Sequence, residues 1–573
     1  MGELPCPLQD PAFPSRKGIF FVAVFSDRAW QFWQRWHIVF VSVFGISALT
    51  YWSVLQGQDQ NWDLKNYHYS AVYRLLNGRL LWDIAPSQIQ SWFNPFPYIP
   101  YYIAIRSLPP IVSGSLMAIV AGINIVLVYV LTLSLFKGSL TPLKSVTAIA
   151  ATLIGATAPM FLSEVGTTFI DNVMSLFIVG AGLILIRMYR NPDGSGDVVR
   201  AGWAGLLLGI AFGFKQTVAV FIAGLVLATV VTCLLSRRSP VRPVLGLFVG
   251  GLVGTALSVG WWSYFLFTTY GNPLFPFYNK IFQSPYFPLT NFIDVNFLPK
   301  SFMAAVGYPI QWALGNSFVS CEMFFRDFRF VTLYALLAVG AVFLLRPVRA
   351  VEPTKGMPVL LDRNVCVFLF VFFVFSYVAW ISMFAIHRYL VPLEILTGAF
   401  SVMLLAVSVR NRTAFIIVVA ILTPALVLTT IPASWGRSSF GRSWFDVRGV
   451  DSINKPDTLY VVVEGGGAPL GYVIPFFGKT SRFVRIAGNM MLTPGVGLGA
   501  SAKDVIDNHK GPIRSLQVKE QMIPEDLKHL RIFGLEPSAT DCGTITTKFD
   551  VLQSCQLERV SPPAPGGSAS AVP

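Results

Sequence analysis

Charge is what this sequence has least of. Only 13% of its 573 residues are Asp, Glu, Lys or Arg, against 54% that are hydrophobic, and so little charge cannot keep a chain this long in water as an ordinary globular protein. It also lacks the motifs of several common chemistries. There is no Walker-type phosphate loop, no His/Cys cluster at metal spacing and no Gly-x-Ser-x-Gly elbow, so nucleotide hydrolysis, zinc catalysis and a serine-hydrolase mechanism have no support. Cysteine is scarce and scattered: Cys6, Cys233, Cys321 and Cys366 lie in or beside apolar segments, and only Cys542 and Cys555 share a polar tail. An N-terminal apolar run ending in a small-residue cleavage site is missing too.

What is present is apolar sequence in long runs, with a mean hydropathy of +0.60. A run of about 18 or more such residues spans the roughly 30 Å of bilayer hydrocarbon as a helix. The net charge of +14 would suggest nucleic acid as the partner of a soluble protein. Here Lys and Arg recur instead in short loops between apolar runs, the pattern of cytoplasmic loops, and no nucleic acid is expected.

Taken in order, residues 1–36 read as a cytoplasmic start and 37–432 as a multispanning domain. Its spans cover about 37–56, 111–136, 145–163, 171–186, a hairpin of two helices within 200–237, then 244–267, 330–345, 364–386, 389–409 and 414–431. That makes about eleven transmembrane helices, with loops at 57–110 and 270–327 on the far side and a short re-entrant segment around 304–318. The hairpin tip is Gly213 to Thr217, and the two prolines of Asn272-Pro273-Leu274-Phe275-Pro276 forbid a continuing helix.

Beyond Pro432 the composition turns polar, and Thr458 to Glu464 reads as a strand before a triple-glycine turn. Residues 433–560 form a soluble α/β domain, and 561–573 a disordered tail. An odd helix count puts this domain outside the cytoplasm, where a Cys542–Cys555 disulfide persists; two free thiols require a different topology. The fold class is thus an all-α polytopic membrane protein with a C-terminal α/β extracytoplasmic domain.

The loop after the first span concentrates the polar chemistry, carrying Asp59, Asp63, Lys65, His68, Arg74, Arg79 and Asp83 among Trp, Tyr and Asn. On a helix over 63–73, Asp63, Asn66 and Tyr67 share one face, and Lys65, His68 and Tyr69 an adjacent one. A carboxylate among aromatics and hydrogen-bonding groups suits a sugar acceptor: rings stack on C–H faces while the carboxylate takes the attacking hydroxyl's proton. The plainer alternative is that Asp63 caps the following helix.

These residues, Asp59-Gln-Asn-Trp-Asp63-Leu-Lys-Asn-Tyr-His68-Tyr with Asn77-Gly78-Arg79 and Asn94-Pro95, resemble the first extracytoplasmic loop of the GT-C superfamily of membrane glycosyltransferases. Protein mannosyltransferases and lipid A aminoarabinose transferases are of this kind. The resemblance covers roughly the first three quarters of the chain. It departs in one respect: the acidic pair is Asp59 and Asp63 rather than adjacent carboxylates, so either can be the base, and a divalent cation (Mg, Mn or Ca) stays an open possibility.

The resemblance implies a polyprenyl-phosphate sugar donor, an extracytoplasmic glycan, lipid or protein acceptor, and residence in the inner membrane among its lipids. Transfer leaves a phosphate whose growing charge needs cations. Lys215 at the hairpin tip and His387-Arg388 beyond a long span are the candidates, with snorkelling the alternative for the two long side chains. Lys65, Tyr67, His68, Arg79, Glu164 and Asn272 are candidate substrate contacts; Asp171, near Glu164, reads more simply as a helix cap. Two other readings compete, a lipid-linked sugar flippase or transporter and a non-catalytic envelope assembly protein. A transporter should place ionisable residues and broken helices at mid-membrane, with internal repeats.

Overall fold

The computed structural model describes residues 27–189, 196–345, 359–519 and 522–561. The expected cytoplasmic start before residue 27 and the expected tail beyond 561 lie outside the described residues.

Eleven helices occupy the eleven apolar segments: α1 (Asp27–Gln56), α2 (Pro110–Ser134), α3 (Pro142–Ala156), α4 (Asp171–Tyr189), α5 (Asp197–Phe214), α6 (Ala219–Leu235), α7 (Val241–Tyr270), α8 (Arg329–Leu345), α9 (Arg363–Met383), α10 (Thr397–Ser408) and α11 (Arg412–Thr429). Among the described residues, eight helices are long and apolar enough to cross a membrane. A ninth span forms where His387–Glu394 joins α10 across a 50° bend, and α3 and α8 are shorter apolar helices. The chain is a multi-pass membrane protein. Helix α1 begins ten residues before the expected His37, because Arg28, Arg35 and three tryptophans extend it as an interfacial turn.

Local chemistry sets several starts. Thr141 accepts from the Lys144 backbone with Pro142 in the first turn of α3; Asp362 caps α9, and Asn411 caps α11. Helices α5 and α7 touch backbone to backbone. A methyl on Gly205 would lie 2.3 Å from the Leu247 carbonyl oxygen, and one on Gly250 would lie 2.0 Å from that of Gly202. Close approach through small residues is how helices associate where lipid is as apolar as leucine.

The loop after α1 opens on a two-residue strand, β1 (Gln58–Asp59), which pairs antiparallel with β2 (Arg437–Ser438) just past α11. A five-stranded sheet follows: β3 (Leu459–Val462), β4 (Arg482–Arg485), β5 (Ile513–Val518), β6 (Leu535–Thr546) and β7 (Val551–Arg559), in the order β4-β3-β5-β7-β6. The first three strands are parallel and the last two antiparallel, with α12 (Gly497–Asn508) and α13 (Pro524–Ile532) as crossover helices. Cys542 and Cys555 face each other across β6 and β7 and form the expected disulfide.

This domain sits on the loop. Ile84 bridges to Val484 at the sheet edge, and Arg79, ion-paired to Asp83 at 2.8 Å, donates to the carbonyls of Lys479 and Ser481. Lys65 pairs with Asp550 at 3.1 Å.

Candidate functional site

Asn61, not Asp63, ends the first turn of the loop. Its side-chain oxygen accepts from the Leu64 backbone at 2.8 Å, while Asp63 makes no capping bond to the π-helical turn Leu64–His68 that follows. Single π-turns are frequent at functional sites. Asp63 instead turns toward the helix bundle, where its Oδ2 accepts from Arg388 Nη1 at 2.7 Å. Both side chains keep some exposure, 15% for Asp63 and 18% for Arg388. This pair therefore remains open to an incoming group.

Asp59 has the opposite environment. Fully buried, its two oxygens accept from the Asn61 backbone and amide and from the Thr168 backbone and hydroxyl. Burial still pushes its carboxyl up, against the pull of Arg437. It pins the loop to the turn before α4 and does not face Asp63's partner.

Around Asp63 and Arg388 the fold gathers a second ion pair and a wall of rings. Lys215 sits where α5 ends, at the expected hairpin tip, and donates to Asp171 at 2.5 Å; its ammonium lies 4.4 Å from the Tyr389 ring centre. The Arg388 guanidinium lies 4.4 Å from the Phe169 ring centre and 5.6 Å from that of Trp435. Asp171 thus spends its carboxylate on Lys215 rather than on capping, and leaves Oδ2 buried without a partner. Beside it, Glu164 is buried with both oxygens unpartnered, and desolvation followed by the Asp171 charge holds its carboxyl well above the usual range. Burial also lowers the Lys215 ammonium, opposed by Asp171.

His68 lines the same space as a neutral ring. Desolvation, then the positive charges of Arg388 and Lys215, push it well below its ordinary value; it bonds the Thr168 hydroxyl at 2.8 Å and stacks on Tyr98 at 4.0 Å. Tyr67 packs edge-on against His68, Phe93 and Tyr98 and forms part of the wall.

Three expected contacts go elsewhere. Lys65 and Arg79 are engaged by the C-terminal domain, and Asn272 folds its own loop, donating to Phe277 and accepting from Leu274. His387 lies fully buried behind Arg388, bonded to Glu394 at 3.3 Å. Its burial corrects its assignment as a direct phosphate ligand.

Tyr98, Phe169 and Trp435 complete the site without any sequence signal. Trp435 comes from the irregular segment between α11 and β2 and Phe169 from the turn before α4, and only the tertiary fold brings them together. The unpartnered oxygens of Glu164 and Asp171 are hard ligands of the type a divalent cation binds.

No protein-family model matches the chain. It is 36% identical over 155 residues to the protoheme IX farnesyltransferase of Thermofilum pendens, a match to 23% of this chain and 54% of the relative. The chain thus spans about half the length of that curated relative. It is also similar to the crystal structure of ArnT from Cupriavidus metallidurans in the apo state, over 91% of this chain and 98% of that one, at 16% identity and a TM-score of 0.38. A likeness at that level carries no argument about activity, which rests here on the site's own geometry.

Proposed function

We propose that the protein is a glycosyltransferase of the cytoplasmic (inner) membrane that moves a sugar from a polyprenyl-phosphate carrier to an extracytoplasmic acceptor, by direct displacement with inversion. The observation that carries this reading is the partly exposed Asp63–Arg388 pair, 2.7 Å apart, with Lys215 and an aromatic wall beside it. One carboxylate and two cations within one ring-lined space match what the reaction needs. A base removes the acceptor's proton while the departing phosphate gains charge.

Arg388 has two anions to serve. In the resting site it holds Asp63, and an arriving lipid phosphate competes for the same guanidinium, since Arg binds phosphate and carboxylate alike through its fork of donors. Donor binding then frees the Asp63 carboxylate to accept the acceptor's proton as the acceptor oxygen or nitrogen bonds to the anomeric carbon and the phosphate leaves. Lys215 shares the phosphate charge, and the neutral His68 with Tyr67 orients the sugar's hydroxyls. Glu164 and Asp171 would hold a divalent cation if the enzyme uses one, which would add charge compensation next to the phosphate. The N-terminus then lies in the cytoplasm and the sheet domain outside, where its disulfide is stable.

The test is transfer from synthetic polyprenyl-phosphate sugars by full-length protein in liposomes, wild type against Asp63→Asn. Turnover in the wild type and its loss in a folded Asp63→Asn variant supports the reading. Equal turnover in both sinks the base assignment, and no turnover with any donor sinks the transferase reading in favour of a flippase or assembly protein.

A further inference from the structure

A second ionic cluster stands directly behind the first and belongs to no step above. Asp327, His387 and Glu394 are fully buried, with side-chain donor atoms within 4.8 Å of one another. Glu394 receives the backbone N–H groups of Met160 and Phe161 at 3.2 and 2.8 Å and faces His387 Nε2 at 3.3 Å. Because a carboxylate only accepts, the hydrogen of that bond sits on Nε2. Asp327 pairs with Arg329 at 2.8 Å, and Arg329 reaches Ile154, Thr157 and Thr430. Trp312 and Phe325 enclose the imidazole, with ring centres 4.4 and 4.3 Å away.

Packing alone would hold this turn more cheaply, since burying charges is costly even when they are paired. The backbone here is also forced. Ala385 has a φ of +52°, a left-handed conformation a Cβ disfavours, and it is held by the Trp380 carbonyl while the Trp380 indole donates to Ile386. Strain and buried charge converge on one short turn, His387–Leu390, which carries Arg388 to the site's open ion pair and Tyr389 beside it.

We infer that His387 and Glu394 are positioning residues that fix the turn so that the Arg388 guanidinium is aimed at Asp63 and at the anionic group that replaces it. Glu394 at the same time ties that turn to the segment carrying Glu164, so both sides of the site share one anchor. The inference rests on the proposed transfer reaction only for the identity of the anion, a lipid phosphate.

The experiment is a double-mutant cycle in full-length protein reconstituted in nanodiscs, with undecaprenyl monophosphate as the probe. His387→Gln and Glu394→Gln each weaken binding about tenfold and raise the donor KM more than they lower kcat. Combining His387→Gln with Arg388→Lys costs no more than Arg388→Lys alone, because groups acting through one another are non-additive. Additive losses, or unchanged binding in both single variants, would overturn the inference. So would a stoichiometric bound metal that disappears in Glu394→Gln, which would make the cluster a metal site. A wild type that binds no lipid phosphate sinks the transferase reading instead; the same cycle read from the thermal midpoint then still reports whether residues 387 and 388 are coupled.

Discussion

The two halves of the loop between α1 and α2 carry the same kinds of side chain and use them in opposite ways. In the later half, Arg79 is heavily engaged: Asp83 takes its guanidinium in a pair of bonds, and the carbonyls of Lys479 and Ser481 accept two more. In the earlier half, Asp63 has one partner, Arg388, and keeps a face open. A polar group with every bond made holds structure together, whereas one left partly unmade can accept something new. Asp59 and Asp63 repeat the contrast four residues apart.

That contrast can be broken by substitution. The largest effect is expected at Asp63: Asn there should cut transfer about a thousandfold, the usual range for a general base, with the thermal midpoint unchanged. Asp59→Asn should do the reverse, lowering the midpoint while the folded fraction keeps its turnover; a kinetic collapse at Asp59 would exchange the two roles. Arg388→Ala should cost about a hundredfold through loss of charge stabilisation, read as donor KM and kcat together.

In the later half, Arg79→Ala should leave Asp83 buried with only the more distant Arg74, 3.9 Å away, at a cost of about 3 kcal/mol, seen as faster proteolysis of the C-terminal domain. Glu164→Gln sharpens the comparison by pH. The native state raises this carboxyl above its unfolded range, so it keeps a proton that the unfolded chain releases. Its stability contribution is present below about pH 4.5 and is lost as pH rises; the glutamine variant should flatten that decline in thermal midpoint. The smallest effect is expected at Lys65, whose half-buried pair with Asp550 should be worth less than about 1 kcal/mol, by chemical denaturation.

How much of this was legible follows the range of each signal. Hydropathy is local, so the eleven segments, the tip around Lys215 and the polar tail with its cysteine pair could be read in order along the chain. The position of His387-Arg388 beyond a long apolar span pointed to the cation that meets Asp63. Partners far apart in sequence could not be read: Lys65 seeks Asp550, and Arg388 lies against Phe169 and Trp435. The burial of Asp59 against Thr168, which favours Asp63 as the proposed base, is something no spacing reveals. Charges were expected to gather at loop ends, and the buried cluster of Asp327, Arg329, His387 and Glu394 departs from that expectation. Its members lie at helix ends in sequence and are drawn inward only when the span before α10 bends.

The bridge between Ile84 and the edge of the sheet also orders the protein's manufacture. Ile84 donates to Phe483 at 2.9 Å and accepts from Arg485 at 3.0 Å, so the loop waits through the synthesis of nearly 400 residues, the separation recorded for its contacts with Ser481 and Phe483, before its partner strand exists. Until then Arg79 and Asp83 have only each other and Arg74. A chain halted before β4 would display a membrane bundle with an unclosed loop, and trimming the protein to its membrane part would remove the template on which that polar loop is shaped.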